Sequence, residues 1–254
     1  MSKLISGYLW AWRNWEAGSK SVGTLKKFYP DADIFINVDY EGDIETYDRI
    51  CVENGYTLSV NSFQLGYCGN FGDRNLGRDC WPIESSVEWM DRLYAACLKT
   101  DSTYILLMEE DDFVLKPISI LNQTFSIAIH PTSPSPSGVF RANYIPTEFV
   151  NFISKNGGVG NSPGYGAGGG TIFNRVEMIE SWEKTRPLLI EYYDYLKSTS
   201  SIIGWQDYLM QFVMQIGGYE IIQNDKLCEH WEVPDSWESF EIVTGLKEHT
   251  LVTL

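Results

Sequence analysis

Tyr104-Ile105-Leu106-Leu107-Met108 runs without a break into Glu109-Glu110-Asp111-Asp112, and this junction restricts the fold more than any other stretch of the chain. A short continuous apolar run reads as a strand covered on both faces, the situation of a central strand in a parallel sheet. Four successive acids at its carboxyl end repel one another, a cost that a bound cation would relieve. Ligands of open parallel sheets lie beyond the carboxyl ends of the strands, so the place of these acids matters as much as their identity. The other reading of the same residues is a solvated acidic turn, because charge runs usually lie on surfaces.

The chain ahead of this junction alternates as a parallel sheet requires. Val22, Leu25 and Phe28 share one helical face, Pro30 follows, and Ile34-Phe35-Ile36-Asn37-Val38 reads as a buried strand. Asp43 is placed to cap a helix carrying Ile44, Tyr47 and Cys51, which Gly55 ends before a third strand, Tyr56 to Val60. Such a βαβαβ beginning imposes parallel pairing with right-handed crossovers. A glycine- and arginine-bearing loop, 66–82, then leads to Val87, Met90, Tyr94 and Cys97 at helical spacing. The expected class is therefore α/β, with a Rossmann-like amino-terminal half and a mostly parallel central sheet.

With 254 residues, 44% of them hydrophobic, the chain can bury the core of one such domain. A Pro- and Ser-rich stretch from His130 to Gly138 divides it into halves of about 1–130 and 138–254. The second half is expected to hold a helix from about Arg175 to Lys197 interrupted at Pro187, a helix Asp207 to Ile216, and a strand Tyr219 to Ile222. A formal charge of −15 repels nucleic-acid backbones and anionic membranes over most of the surface, so no nucleic-acid partner is expected. The first residues are too short and too polar-flanked for a secretory signal or a membrane span, and the expected location is cytoplasmic. Five scattered cysteines without a CxxC pair read as buried reduced thiols.

Three further segments carry candidate chemistry. Gly164-Tyr165-Gly166-Ala167-Gly168-Gly169-Gly170 contains GxGxxG by pattern, but Asn161-Ser162-Pro163 precedes it where a dinucleotide turn needs a strand. Its simpler roles are close backbone approach to a ligand, which the missing Cβ permits, or a flexible loop. Asp207, in Trp205-Gln206-Asp207, stands at a helix start and is either a cap or a positioned acid. His230, in Cys228-Glu229-His230-Trp231, is either a hydrogen-bonded structural imidazole or a metal ligand.

Glu110-Asp111-Asp112 with Pro117 five residues on resembles the EDD form of the DxD motif in GT-A glycosyltransferases, in particular the N-acetylglucosaminyltransferases of complex N-glycan synthesis. The resemblance implies that Asp112 binds a metal ion bridging the donor's phosphates, with Glu110 and Asp111 touching the donor; the register Glu109-x-Asp111 stays open. Trp205-Gln206-Asp207 is similar to the xED motif of inverting members, which implies that Asp207 is the general base. Gln206 departs from the acid usual before it. Gly217-Gly218-Tyr219 leading to His230 resembles the polypeptide N-acetylgalactosaminyltransferases, which implies His230 as the nitrogen ligand of a metal, Mn2+ or Mg2+, with His249 the fallback.

By the same resemblance the glycine loop, with Gly168 and Gly169, borders the donor sugar and acceptor. Asp39, Trp12 and Arg13 line the nucleotide cleft at the ends of the first two strands. The implied activity is metal-dependent, inverting transfer from a nucleotide-diphosphate sugar, UDP favoured, to the hydroxyl of a glycan or glycoconjugate. Two other activities compete: a sugar nucleotidyltransferase, disfavoured by the poor phosphate loop in 18–27, and a noncatalytic sugar-binding module that stacks sugars on Trp10, Trp12, Trp15, Trp81 and Trp205.

Overall fold

The computed structural model describes residues 3–12, 14–40, 42–62, 83–110, 112–114, 116–129, 147–159, 170–189, 191 and 206–223. Seven strands form one sheet: β1 (Ile5–Ala11), β2 (Ile34–Val38), β3 (Thr57–Val60), β4 (Tyr104–Glu109), β5 (Ile127–Ile129), β6 (Ile172–Asn174) and β7 (Ile221–Gln223), in the order β3-β2-β1-β4-β6-β5-β7. β1 pairs in parallel with both β2 and β4, β2 with β3, and β5 with β7; β6 alone runs antiparallel to its neighbours β4 and β5. The α/β class holds, and the sheet is mixed through one inserted strand. Strands from both halves of the chain share it.

The described helices are α1 (Trp15–Phe28), α2 (Ile44–Asn54), α3 (Ile83–Lys99), α4 (Thr147–Lys155), α5 (Arg175–Thr185) and α6 (Gln206–Gly217). α1 starts earlier than its apolar spacing predicts, because the Asn14 side chain accepts from Ala17 N and sets the first turn. Glu16 at its beginning and Lys26 and Lys27 at its end complement the helix dipole. α2 begins as expected, with Asp43 accepting from Thr46 N, and ends at Gly55, whose φ of 69° a side chain would resist. α5 stops at Thr185 and passes into a 3-10 turn, Arg186–Leu188, where Pro187 removes a helix donor.

Alternation along β1 and β4 sends side chains to two cores. Ile5 and Leu9 of β1 and Leu106 and Met108 of β4 pack in one cluster with Val22 and Leu25 of α1 and Tyr47 and Cys51 of α2. On the other face Tyr8, Ile105 and Leu107 join Trp89, Met90 and Leu93 of α3, Trp182 of α5, and Leu209, Met210, Phe212, Val213, Met214 and Ile216 of α6. Trp89 is fully buried, edge-on to both Tyr8 and Trp10, and its truncation to Ala would cost about 3–5 kcal/mol. Cys51 and Cys97 are buried free thiols, and burial pushes them up to about 11 and about 12, so they stay protonated and inert.

Candidate functional site at the carboxyl rim

In the order β3-β2-β1-β4 the chain turns to one side after β1 and to the other for β4, and such a switch point opens a crevice beyond the carboxyl ends of the two strands. The loops that follow β1, β2 and β4 meet there. Asp39 N donates to Ala11 O (2.8 Å), Asp43 N to Trp12 O (2.7 Å) and Asn61 N to Val38 O (2.9 Å), so the loop ends are tied to one another by main-chain bonds.

The acidic run forms a turn. Asp112 N donates to Glu109 O (3.1 Å), while the Asp112 Oδ2 accepts from Glu109 N at 2.6 Å. From below, the Ser21 hydroxyl of α1 donates to the carbonyls of Asp112 (2.5 Å) and Glu109 (3.3 Å), and Val114 N donates to Thr24 Oγ1 (2.8 Å). Asp112 is consequently buried, 7% exposed, with its carboxylate turned back onto its own turn, whereas Glu109 is half-buried. A carboxylate that accepts from its own backbone in this way is a turn-forming group.

Glu110 is half-buried and reaches sideways. Its Oε1 accepts from Trp12 N (2.8 Å), Asn14 N (3.0 Å) and the Tyr47 hydroxyl (2.6 Å). Burial, then the adjoining Glu110 charge, push the Tyr47 phenol far above its ordinary value, so it remains a donor. Asp39 is fully buried at the end of β2, and its Oδ1 accepts from Trp10 Nε1 (2.9 Å) and Asn61 Nδ2 (2.8 Å). Trp10 is thereby a partner of Asp39 and of Trp89, which is an internal use of the indole.

β6 brings a second part of the chain to the same rim. Because it runs against β4, it is entered from the carboxyl end: Gly170 N donates to Leu107 O and Leu107 N to Thr171 O (2.8 Å). Gly170, the last residue of the glycine segment, therefore enters the sheet beside β4, and Gly168 and Gly169 lie outside the described residues. α6 is followed by the Gly218 turn (φ 101°) and by β7, which runs the same way as β5. A helix returning to such a strand starts on the carboxyl side, and its first turn holds Gln206 and Asp207. Because α6 starts at Gln206, Asp207 is its second residue, inside the first turn and two places past the N-cap position.

Arg13, Asp111 and His230 also lie outside the described residues, as does His249. Among the described residues no group of three or more His, Cys, Asp or Glu side chains is placed to hold a metal ion. No helix among them is long and apolar enough to cross a membrane. The sequence offers Trp10 only as a sugar-stacking platform and Tyr47 only as part of a helical face, and it singles out none of Asn14, Asn61 and Ser21. Each acts on a partner distant in sequence, such as the 63 positions between Tyr47 and Glu110, and carries no local signature.

No protein-family model matches the chain, and no curated protein sequence does. Several solved structures resemble the chain in shape. TarS 1–349 of S. aureus superposes with a TM-score of 0.41 at 11% identity, covering 94% of this chain and 64% of that one. The glycosyltransferase GlyE of Streptococcus pneumoniae TIGR4 gives 0.45 at 9% identity, covering 94% and 49%. Glucosyl-3-phosphoglycerate synthase from Mycobacterium tuberculosis, in complex with Mn2+ and UDP-glucose, gives 0.41 at 10% identity, covering 97% and 80%. This chain thus spans less than two thirds of TarS 1–349 and about half of GlyE.

Proposed function

We propose that the chain is a GT-A glycosyltransferase that transfers a sugar, with inversion, from a nucleoside-diphosphate donor to a hydroxyl of a glycan or glycoconjugate. The observation that carries this reading is the convergence of the β1–α1 loop, Asp39, the acidic turn and the entrance to β6 on one rim of the sheet, at its switch point. The order of motifs along the chain supports it independently. UDP is the donor nucleotide to try first.

The acids of the turn suit a hard divalent cation, magnesium or manganese. The hydrogen bond from Glu109 N to the Asp112 carboxylate favours the register Glu109-x-Asp111 over one with Asp112 as the ligand, and His230 would complete the set. A bound cation would offset the charge on the departing diphosphate. Asp39, held by Trp10 and Asn61, orients the nucleotide at the end of β2. Asp207 takes the proton of the acceptor hydroxyl as its oxygen forms the new bond to the anomeric carbon and the diphosphate departs from the opposite face.

Calorimetry of UDP with and without manganese tests the donor site, and the products of a UDP-sugar test the chemistry. A transferase releases UDP from it, a nucleotidyltransferase converts it to UTP and sugar 1-phosphate only when pyrophosphate is added, and a sugar-binding module does neither. Asp207→Asn is expected to bind UDP normally and to lose roughly 10²–10⁴ in kcat. A normal kcat would remove Asp207 from the reaction.

A further inference from the structure

Trp12 N and Asn14 N lie between two hydrogen-bond ladders. The paired register of β1 ends at Ala11, and the first α1 bond runs from Gly18 N to Asn14 O. A main-chain N–H in such a gap needs an acceptor from elsewhere in the fold. Both find the same atom, Oε1 of Glu110, which also accepts from Tyr47 at the start of α2. Three donors on one oxygen fix the carboxylate and, through it, the path of the loop.

The surrounding residues make room for this bond. A Cβ on Gly18 would stand 2.5 Å from the Tyr47 hydroxyl oxygen, so glycine at that point of α1 admits the phenol to Glu110. The loop is also held from its other side, by Asp43 N on Trp12 O, and a Cβ on Gly42 would meet that same carbonyl at 2.5 Å. β1, α1, α2 and the acidic turn thus converge on Glu110.

We infer that Glu110 is a positioning residue: it holds the β1–α1 loop in the shape the donor site uses, and its influence on the ligand passes through Trp12 and Asn14. This inference rests on the donor site proposed above for what the loop serves, and on the three hydrogen bonds for the holding itself. It departs from the direct donor contact that the motif resemblance implies. Glu110 belongs to the architecture of the rim.

The test measures amide hydrogen exchange at Trp12 and Asn14 in the ligand-free chain, together with UDP affinity in manganese, for Glu110→Ala, Glu110→Gln and Tyr47→Phe. In Glu110→Ala exchange at both amides rises about tenfold or more, while β2 and α6 stay protected, and the UDP Kd rises by about tenfold. Glu110→Gln keeps an acceptor oxygen and restores both readings to within about threefold of the parent. Tyr47→Phe leaves the acid untouched, and it raises exchange and Kd together by a few-fold, about two to five.

Unchanged exchange in Glu110→Ala overturns the inference. So does a Gln variant that keeps parental exchange but binds UDP as weakly as the Ala variant, since that pattern belongs to a charge touching the ligand. If Glu110→Ala does not fold, Tyr47→Phe and Glu110→Gln decide. A parent chain that binds no UDP defeats the donor reading instead, and exchange in the ligand-free chain still shows whether Glu110 holds the loop.

Discussion

The two ends of the sheet treat their acids differently. At the amino end Asp33 meets a cation: Lys3 Nζ lies 2.5 Å from its Oδ1 and Thr100 donates to Oδ2 at 2.7 Å. Burial alone would lift the Asp33 carboxyl, but these partners outweigh it and hold the group below its ordinary value. At the carboxyl end an indole, a carboxamide, a phenol and main-chain N–H groups are among the donors to Asp39, Glu110 and Asp112. Neutral donors of this kind fix the direction of a carboxylate without cancelling its charge. The amino rim closes on itself, and the carboxyl rim holds its acids oriented.

The largest expected effect tests that difference directly. Asp111→Asn should weaken manganese-dependent UDP binding by about 100-fold or more, because loss of a ligand exceeds the 10–100-fold cost of changing its outer supports. Asp33→Asn at the other rim should leave that Kd unchanged. Equal losses in the two variants, measured by calorimetry, would mean that the rims do not differ in function.

Asp112→Ala and Gly18→Ala probe how the carboxyl rim is held. The first deprives Glu109 N of its acceptor and should cost about 1–3 kcal/mol in urea unfolding. Asp112→Asn keeps an oxygen for that N–H and should retain most of the stability and of the metal-dependent binding. If Asp112→Asn instead abolishes binding while Asp111→Asn does not, Asp112 is the metal ligand. Gly18→Ala drives a methyl against the Tyr47 hydroxyl and should cost about 1–3 kcal/mol, with Tyr47→Phe recovering part of it in a double-mutant cycle.

The smallest effect is at the amino rim and depends on pH. The folded-state pKa of Asp33 is depressed, so its contribution is present above the unfolded value of about 3.9 and fades as pH falls through the folded value. With Lys3 and Asp33 side chains 32% and 33% exposed, solvent screening limits the pair to about 1 kcal/mol or less. Asp33→Asn should therefore be slightly destabilised at pH 7, and the difference should shrink below about pH 4. A constant difference across that range would show that packing, not charge, is at stake.

Most of the first four strands was legible because each is announced locally. The run 34–38, the cap at Asp43 and the stop at Gly55 need only neighbouring residues to be understood. The inserted β6 was not, since three residues, Ile172–Asn174, carry no periodicity that sets their direction. The same limit applies to the site. Four acids after a strand mark its location, but which of them faces inward depends on Ser21, Tyr47 and the amides of Glu109, Trp12 and Asn14, all set by tertiary packing.

The antiparallel strand has a consequence for how the molecule is made. β4 lies at the middle of the sheet, yet one of its edges is completed only when Ile172–Asn174, far along the chain, leaves the ribosome. Until then a largely apolar strand presents bare peptide groups, an invitation to pair with another nascent chain. A pairing of such long sequence separation also closes slowly. Nascent chains halted before residue 170 should therefore be chaperone clients, and release past residue 174 should mark the onset of protease resistance in the amino-terminal strands.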